Sequence, residues 1–326
     1  MPERVLLVLA TATGGVGAHV QSLAQATGAT VACPASTQAV FRYDRHVGLE
    51  VGGAARPSDV LAAVRLRRLA GDFDVVHAHG LRAGALAALA GVRPLIVTWH
   101  NAVVGPLGAV LERLAARRAD VTLAASADLL VAARRAGSKD ARLGEVAAPA
   151  LVATGTDPGL GHPLVLAVGR LHPQKGYDVL LDALPRLAGA VVAVAGDGPL
   201  EAALRARAPD VRWLGRRDDV ADLLAAADVV VLPSRWEARS LTAQEALRAG
   251  RPLVCSAVGG LPDLVRDGAL VVPAGDARAL GDAVRSLLDD PAAASALGER
   301  GRAVAATWPT EAEIVAQVRA VWAELA

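Results

Sequence analysis

"DVVVLPSRWEARSLTAQEALRAG", residues 228–250, passes from a short apolar run through a polar loop into an amphipathic stretch. A buried strand, a loop at its carboxyl end and a covering helix form the unit of a parallel sheet. Loop and helix together carry two glutamates eight positions apart, Glu237 and Glu245, among mostly apolar or small residues. Working outward, the same alternation recurs. Apolar runs at 4–10, 29–33, 47–51, 74–79, 94–98 and 120–125 predict strands in the first half, with helical stretches such as 57–70 and 105–119 between them. Residues 148–162, "APALVATGTDPGLGH", hold three Gly and two Pro without a period and read as a linker. Strands are then expected at 163–169, 190–195, 211–214, 228–232, 252–255 and 269–273. Residues 309–325 place Ile314, Val315, Val318, Val321 and Trp322 on one helical face. The expected fold is α/β, with two doubly wound, Rossmann-like domains facing across a crevice. Residues 1–155 form the N-terminal domain and 156–308 the C-terminal one. The helix of 309–326 is expected to cross back onto the N-terminal domain. Ligands in such sheets bind beyond the carboxyl ends of the strands.

A chain of 326 residues with 53% hydrophobic and 21% charged residues can fill two cores and is not disordered. No apolar run approaches the roughly 18 residues that span a bilayer. The opening "MPERVLLVLATATGG" reads as a first strand and a Gly-rich turn, with no signal-peptide cleavage pattern. Cys33 and Cys255 lie far apart without metal-ligand spacing and read as small core residues in a reducing cytoplasm. Charge is unevenly split: residues 1–155 hold 16 Lys/Arg against 11 Asp/Glu, and residues 156–326 hold 18 against 22. The basic half suits an anionic partner or membrane surface, or simply has solvated faces. No basic run interleaved with aromatics points to nucleic acid.

Three loops could carry chemistry. "TATGGVGAHV", 11–20, follows the first strand and opens a helix; Gly14, Gly15 and Gly17 allow close backbone approach, and a helix N-terminus favours an anion. A tight βα turn explains it equally well. It is not G-x-G-x-x-G, and the second strand ends in Cys33-Pro34 with no acid for a ribose, against a dinucleotide dehydrogenase. "GRLHPQKGYDVLL", 169–181, is the matching loop of the second domain, where Arg170 and Lys175 beside a helix start suit a diphosphate. The chain has only two lysines, Lys139 and Lys175, among 34 basic residues, which argues against a generic surface charge. In the third loop Thr242 can cap the next helix with Glu245 three residues on, a capping box. That leaves Glu237 unexplained, and either carboxylate could accept from sugar hydroxyls. His100 follows a strand at its carboxyl end; His77 and His79 alternate along "DVVHAH", one expected packed inside and His79 near the strand end. Asp72 and Asp74 of "GDFD" spell the D-x-D of metal-dependent transferases but precede their strand, at the wrong end.

"GRLHPQKG", "AGDGPL", "LPSRWE", "SRWEARSLTAQEALRAG" and "VGGLPDLVRDGALVVPAGD" together resemble the retaining glycosyltransferases of GT-B fold, family four. The likeness covers nearly all of residues 1–290. It implies that Arg170 and Lys175 hold the donor diphosphate, that Glu245 binds the ribose and that Glu237 contacts the donor sugar. It puts Arg239, Ser240, Leu241 and Thr242 in the same donor loop. Gly14, Gly15 and Gly17 approach the phosphates from the other domain, and His100 lines the sugar site. No metal and no cofactor are implied. The two glutamates would grip the two ends of one nucleotide sugar, most readily a UDP-sugar, and its sugar would pass with retention to an acceptor hydroxyl. Domain closure over the donor would exclude water. Two departures stand out: "EARS", 237–240, replaces glycine-rich E-G-F-G, and "ATGTDPG", 153–159, replaces the usual N-G-V-D.

The competing readings are a nucleotide-sugar epimerase or phosphorylase of the same fold and a non-catalytic sugar-nucleotide-binding scaffold. Retention of Arg170, Lys175, Glu237 and Glu245 together argues against decay. The acceptor, in glycolipid, cell-envelope or small-molecule glycoside synthesis, would be read by loops 11–20, 34–46 and 80–110. Arg65, Arg67 and Arg68, with Arg113, Arg117 and Arg118, lie beside apolar residues in two helical stretches. They suit peripheral contact with an anionic membrane and a lipid-linked acceptor, or are ordinary solvated helix faces.

Overall fold

A computed structural model describes residues 4–52, 56–101 and 106–326, apart from the side chains of 106 and 107. The expected acceptor loop 80–110 includes 102–105, which lie outside the described residues. The chain divides into two compact units, 1–149 with 309–326, and 150–308.

The first unit holds seven parallel strands: β1 (Val5–Leu9), β2 (Thr30–Cys33), β3 (His46–Gly48), β4 (Val75–His79), β5 (Leu95–Trp99), β6 (Val121–Ala124) and β7 (Ala141–Leu143), in the order β3-β2-β1-β4-β5-β6-β7. The second holds six: β8 (Leu164–Val168), β9 (Val191–Ala195), β10 (Arg212–Gly215), β11 (Val229–Leu232), β12 (Leu253–Ser256) and β13 (Leu270–Val272), in the order β10-β9-β8-β11-β12-β13. Both are Rossmann-like, and both reverse strand order beside their first strand. Twelve strands fall where the apolar runs put them. β7 has no such run: three residues, Ala-Arg-Leu, at the sheet edge.

Strand periodicity explains the second core. Val229 and Val231 of β11 enter one apolar cluster, and Val230 and Leu232 enter the other. A period of two sends successive side chains to opposite faces, and helices cover both. Cys255 is a buried free thiol in the second of these clusters, and Cys33 is one in the first unit's core.

Helix Glu311–Leu325 belongs to the first unit. Thr310 caps it, accepting from the Glu313 amide at 3.2 Å, while the Glu313 carboxylate accepts from the Thr310 amide at 2.7 Å. Val318, Val321 and Trp322 join Val5, Leu7, Leu9, Val20 and Leu23 in one core. Truncating Trp322, 2% exposed, would cost about 3–5 kcal/mol. No helix among the described residues is long and apolar enough to cross a membrane.

Candidate functional site

In a sheet of this order, loops following the two strands at the reversal flank the ligand position. For the second unit these are loops 169–176, after β8, and 233–240, after β11. The two are zipped together: the Arg235 amide donates to the Gln174 carbonyl at 2.7 Å, and Gln174 Nε2 to the Trp236 carbonyl at 2.9 Å. Gly176 is required at the crossing. Its φ is +63°, and a Cβ there would stand 2.0 Å from the Pro233 carbonyl oxygen. A third loop pins the second from the other side. The Gly260 amide donates to the Glu237 carbonyl at 2.9 Å, and a Cβ on Gly259 would meet that oxygen at 2.0 Å.

This clamp brings Lys175 and Glu237 together. Lys175 Nζ donates to Glu237 Oε1 at 2.6 Å, and Ser234 Oγ donates to the same oxygen at 2.8 Å. Glu237 is 6% exposed. A carboxylate buried this far needs a paired charge and hydrogen bonds, and it has both. Its field reaches two neighbours, adding to burial in pushing the Cys255 thiol up to about 12 and the Tyr177 hydroxyl upward. The ammonium carries three protons and gives one to Glu237, leaving two for oxygens of a ligand. Arg170 lies exposed at the carboxyl end of β8.

Glu245 sits in the second turn of helix Leu241–Arg248, half-buried. Burial pushes its carboxyl up to about 7, against the pull of Arg248 and Lys175. The capping-box explanation for it fails. Ser240, not Thr242, starts the helix, its side chain accepting from the Ala243 amide, while Thr242 lies inside and donates to the Val168 carbonyl at 3.4 Å. Glu245 is therefore five residues past the cap, out of reach of the reciprocal bond. Leu241 is the first helical residue, and the Arg239 guanidinium lies over the Trp308 ring at 6.0 Å, with Arg248 at 5.9 Å.

In the first unit the reversal lies between β1 and β4. Helix Gly15–Thr27 opens there on Gly14, with no side-chain cap, and Gly14 and Gly15 are exposed. Gly17 has a packing reason of its own: a Cβ would enter the Phe41 ring at 2.1 Å, and its carbonyl accepts from the Tyr43 hydroxyl at 3.2 Å. His77 and His79 are both buried, a correction to the single packed histidine expected, because residues two apart share a strand face. Trp322 Nε1, a donor only, binds His77 Nδ1 at 3.1 Å, so the His77 proton sits on Nε2 and goes to Thr98 Oγ1 at 2.6 Å. His79 Nδ1 shares a proton with His100 Nε2 at 3.1 Å. His19, which the sequence reading missed, completes the cluster, its ring 5.7 Å from His79 and 5.6 Å from His100. Its signal was a polar ring one turn into the helix after the Gly-rich loop. Burial holds all four imidazoles below their usual range, His19 at about 4 and His77 at about 3, so the cluster is neutral. Among the described residues no three or more His, Cys, Asp or Glu are grouped to hold a metal. Asp74 instead ties the chain start, accepting from the Arg4 amide at 2.8 Å and its guanidinium at 3.0 Å.

Residues 162–290 match the family of glycosyl transferases group 1, and 14–147 match the glycosyl transferase 4-like domain. A glycogen synthase of Mycobacterium tuberculosis is 33% identical over 301 residues, covering 79% of this chain and 72% of its own. A D-inositol 3-phosphate glycosyltransferase of Catenulispora acidiphila is 36% identical over 286 residues, covering 71% and 67%. The structure is similar to that of HepE of Anabaena solved with UDP and glucose, at a TM-score of 0.86 and 20% identity, covering 99% of this chain and 100% of that one. Two parallel-sheet domains of one strand order, each with its loops built at the reversal, and these matches across both halves place the chain in the group 1 glycosyl transferases, as a glycosyltransferase of GT-B fold.

Proposed function

We propose that this chain transfers a sugar, with retention, from a nucleoside diphosphate sugar to an acceptor hydroxyl, without a metal. The observation that carries it is the Lys175–Glu237 pair clamped between two strand-end loops, with Arg170 in the same loop as Lys175 and Glu245 close enough to feel the Lys175 charge. A departing diphosphate needs its growing charge stabilised, and Arg170 with the two spare Lys175 protons supply cations in a partly dry site. Glu237 accepts from hydroxyls of the donor sugar and Glu245 from the ribose. In the first unit, Gly14 and Gly15 offer uncapped helix amides that suit an anion, and neutral His100 offers a hydrogen bond to a hydroxyl. We take the donor to be UDP-linked, because HepE of Anabaena, of similar fold, is solved with UDP and with UDP-glucose. The acceptor is a hydroxyl compound read by the first unit's loops.

Release of nucleoside diphosphate from UDP-glucose, with and without added acceptor alcohols, tests this. Acceptor-dependent release that falls at least about a hundredfold in Glu237→Gln supports it. Release equal in that variant and the parent would remove Glu237 from the reaction. GDP- and ADP-sugars in parallel decide the base.

A further inference from the structure

The first sheet's order fixes where its helices go. Right-handed crossovers put helices Asp59–Ala70, Leu81–Leu89, Pro106–Arg118 and Ala127–Ala136 on one face, packed side by side in that order. Their inner residues, such as Leu66, Ala85, Ala115 and Leu129, are buried against the sheet. Their outer residues are unusual. Val60, Leu61 and Val64 are 68%, 74% and 45% exposed, and Leu89, Val110 and Val131 stand out with them. These are six of the ten exposed large hydrophobics among the described residues; from β8 to Trp308 the second unit exposes one, Val271.

The same four helices are rich in arginine. Three of them end in an exposed pair, Arg67–Arg68, Arg117–Arg118 and Arg134–Arg135, and Arg65 and Arg113 lie a turn earlier. None of these eight forms an ion pair with a described carboxylate, whereas Arg4, Arg82, Arg93 and Arg142 of the same unit all do. The helices offer three acids in all, Asp59, Glu112 and Asp128, and Asp59 is taken by Arg82 at 2.7 Å. A cation in a last turn offsets the helix dipole, which accounts for the position of the pairs. It does not account for bare aliphatic side chains on the same helices, nor for the shortage of acids.

We propose that this helical face docks on an anionic lipid bilayer. Aliphatic side chains enter the boundary of the acyl region while arginines, on long apolar stems, reach lipid phosphates. Charge complementarity selects an anionic surface, and aliphatics beside unpaired cations match its two layers. The exposed large hydrophobics include no aromatic ring on which a nucleic acid base could stack. Docking needs nothing from the donor loops, so it stands or falls apart from the proposed transfer.

Sedimentation of the full chain with vesicles tests it, using phosphatidylcholine alone and phosphatidylcholine mixed with phosphatidylglycerol. The chain should sediment with the mixed vesicles at low salt, be released at high salt and ignore the neutral ones. Arg65→Glu with Arg68→Glu should lower partitioning at least about tenfold. Val60→Ser with Leu61→Ser should weaken it while leaving its salt dependence. Both variants change exposed residues, and an unchanged melting temperature shows that they fold. No sedimentation with anionic vesicles at low salt overturns the proposal, as does equal binding by the charge-reversed variant. A dimer seen by light scattering, dissolved by Leu61→Glu and indifferent to vesicles, would make a second copy the occupant instead.

Discussion

The two units share one strand order but build opposite chemistry at the same topological position. In the first, four histidines crowd the carboxyl ends of β4 and β5 and helix Gly15–Thr27, all buried and neutral. In the second, an ammonium and a carboxylate are clamped 2.6 Å apart between two loops, with a second carboxyl at about 7 nearby. A common scaffold therefore fixes where a site lies and leaves its electrostatics to the loops. One edge is a neutral hydrogen-bonding surface, and the other holds charges against burial.

Acid should change the stabilities of the two units in opposite directions, and this is the largest effect expected. An imidazole depressed by burial contributes stability that is full above its unfolded value, near 6.5, and lost as pH falls toward the folded values of about 4 and 3. Four such groups give a slope of up to about 5 kcal/mol per pH unit. Glu245 runs the other way. Its raised carboxyl contributes stability that is full below about 4.3 and lost as pH rises through about 7. Going from neutral pH toward pH 5 weakens the first unit and slightly strengthens the second. Amide hydrogen exchange, corrected for intrinsic rates, should show protection falling in β4 and β5 and holding in β8 and β11. Equal losses in both would erase the contrast.

The clamp gives the next effect. Lys175→Ala strips the partner from a buried carboxylate and should cost about 3 kcal/mol in the second unit. The double variant Lys175→Ala/Glu237→Ala should cost less than the sum of the single ones, by at least about 1 kcal/mol, in a urea-unfolding cycle. Strict additivity would mean that the pair does not act as one. Gly259→Ala tests the clamp without touching a charge. Its Cβ would force the Glu237 carbonyl away, so nucleotide binding should weaken though every charged group remains. Undiminished UDP affinity in that variant would show that the loop tolerates displacement.

A smaller effect comes from Glu245. Ribose hydroxyls prefer the ionised carboxylate, so UDP should bind more tightly as pH rises through about 7. Glu245→Gln should flatten that dependence in calorimetric titrations from pH 6 to 8, and an unchanged slope would move the titrating group elsewhere. The smallest expectation is none at all: transfer should proceed unchanged in excess EDTA. Loss on chelation, restored by Mg²⁺ or Mn²⁺, would bring a metal into the account.

The strands were legible because parallel strands buried on both faces are continuous apolar runs. Val229–Leu232 could be read directly, while Ala141–Leu143, an edge strand with a central arginine, could not. Lys175 and Glu237 were visible as residue types in loops at the carboxyl ends of expected strands. Their contact was not, since 62 residues separate them and the crossing depends on Gly176 and Gly259 meeting backbone from other loops. Ser240 and Thr242 are both good caps, and a local pattern could not choose between them; the tertiary path of loop 233–240 did. His19 and the Trp322–His77 bond stayed hidden for the same reason, the latter joining residues 245 apart.

The nucleoside diphosphate is expected at the second unit's edge, not at the first's. Hydrogen exchange on the full chain with saturating UDP tests it directly. Amides of 169–176 and of helix Leu241–Arg248 should gain the strongest protection, and Lys175→Ala should abolish the pattern. Protection confined to the first unit, or none in 169–176 while UDP is bound, would contradict it.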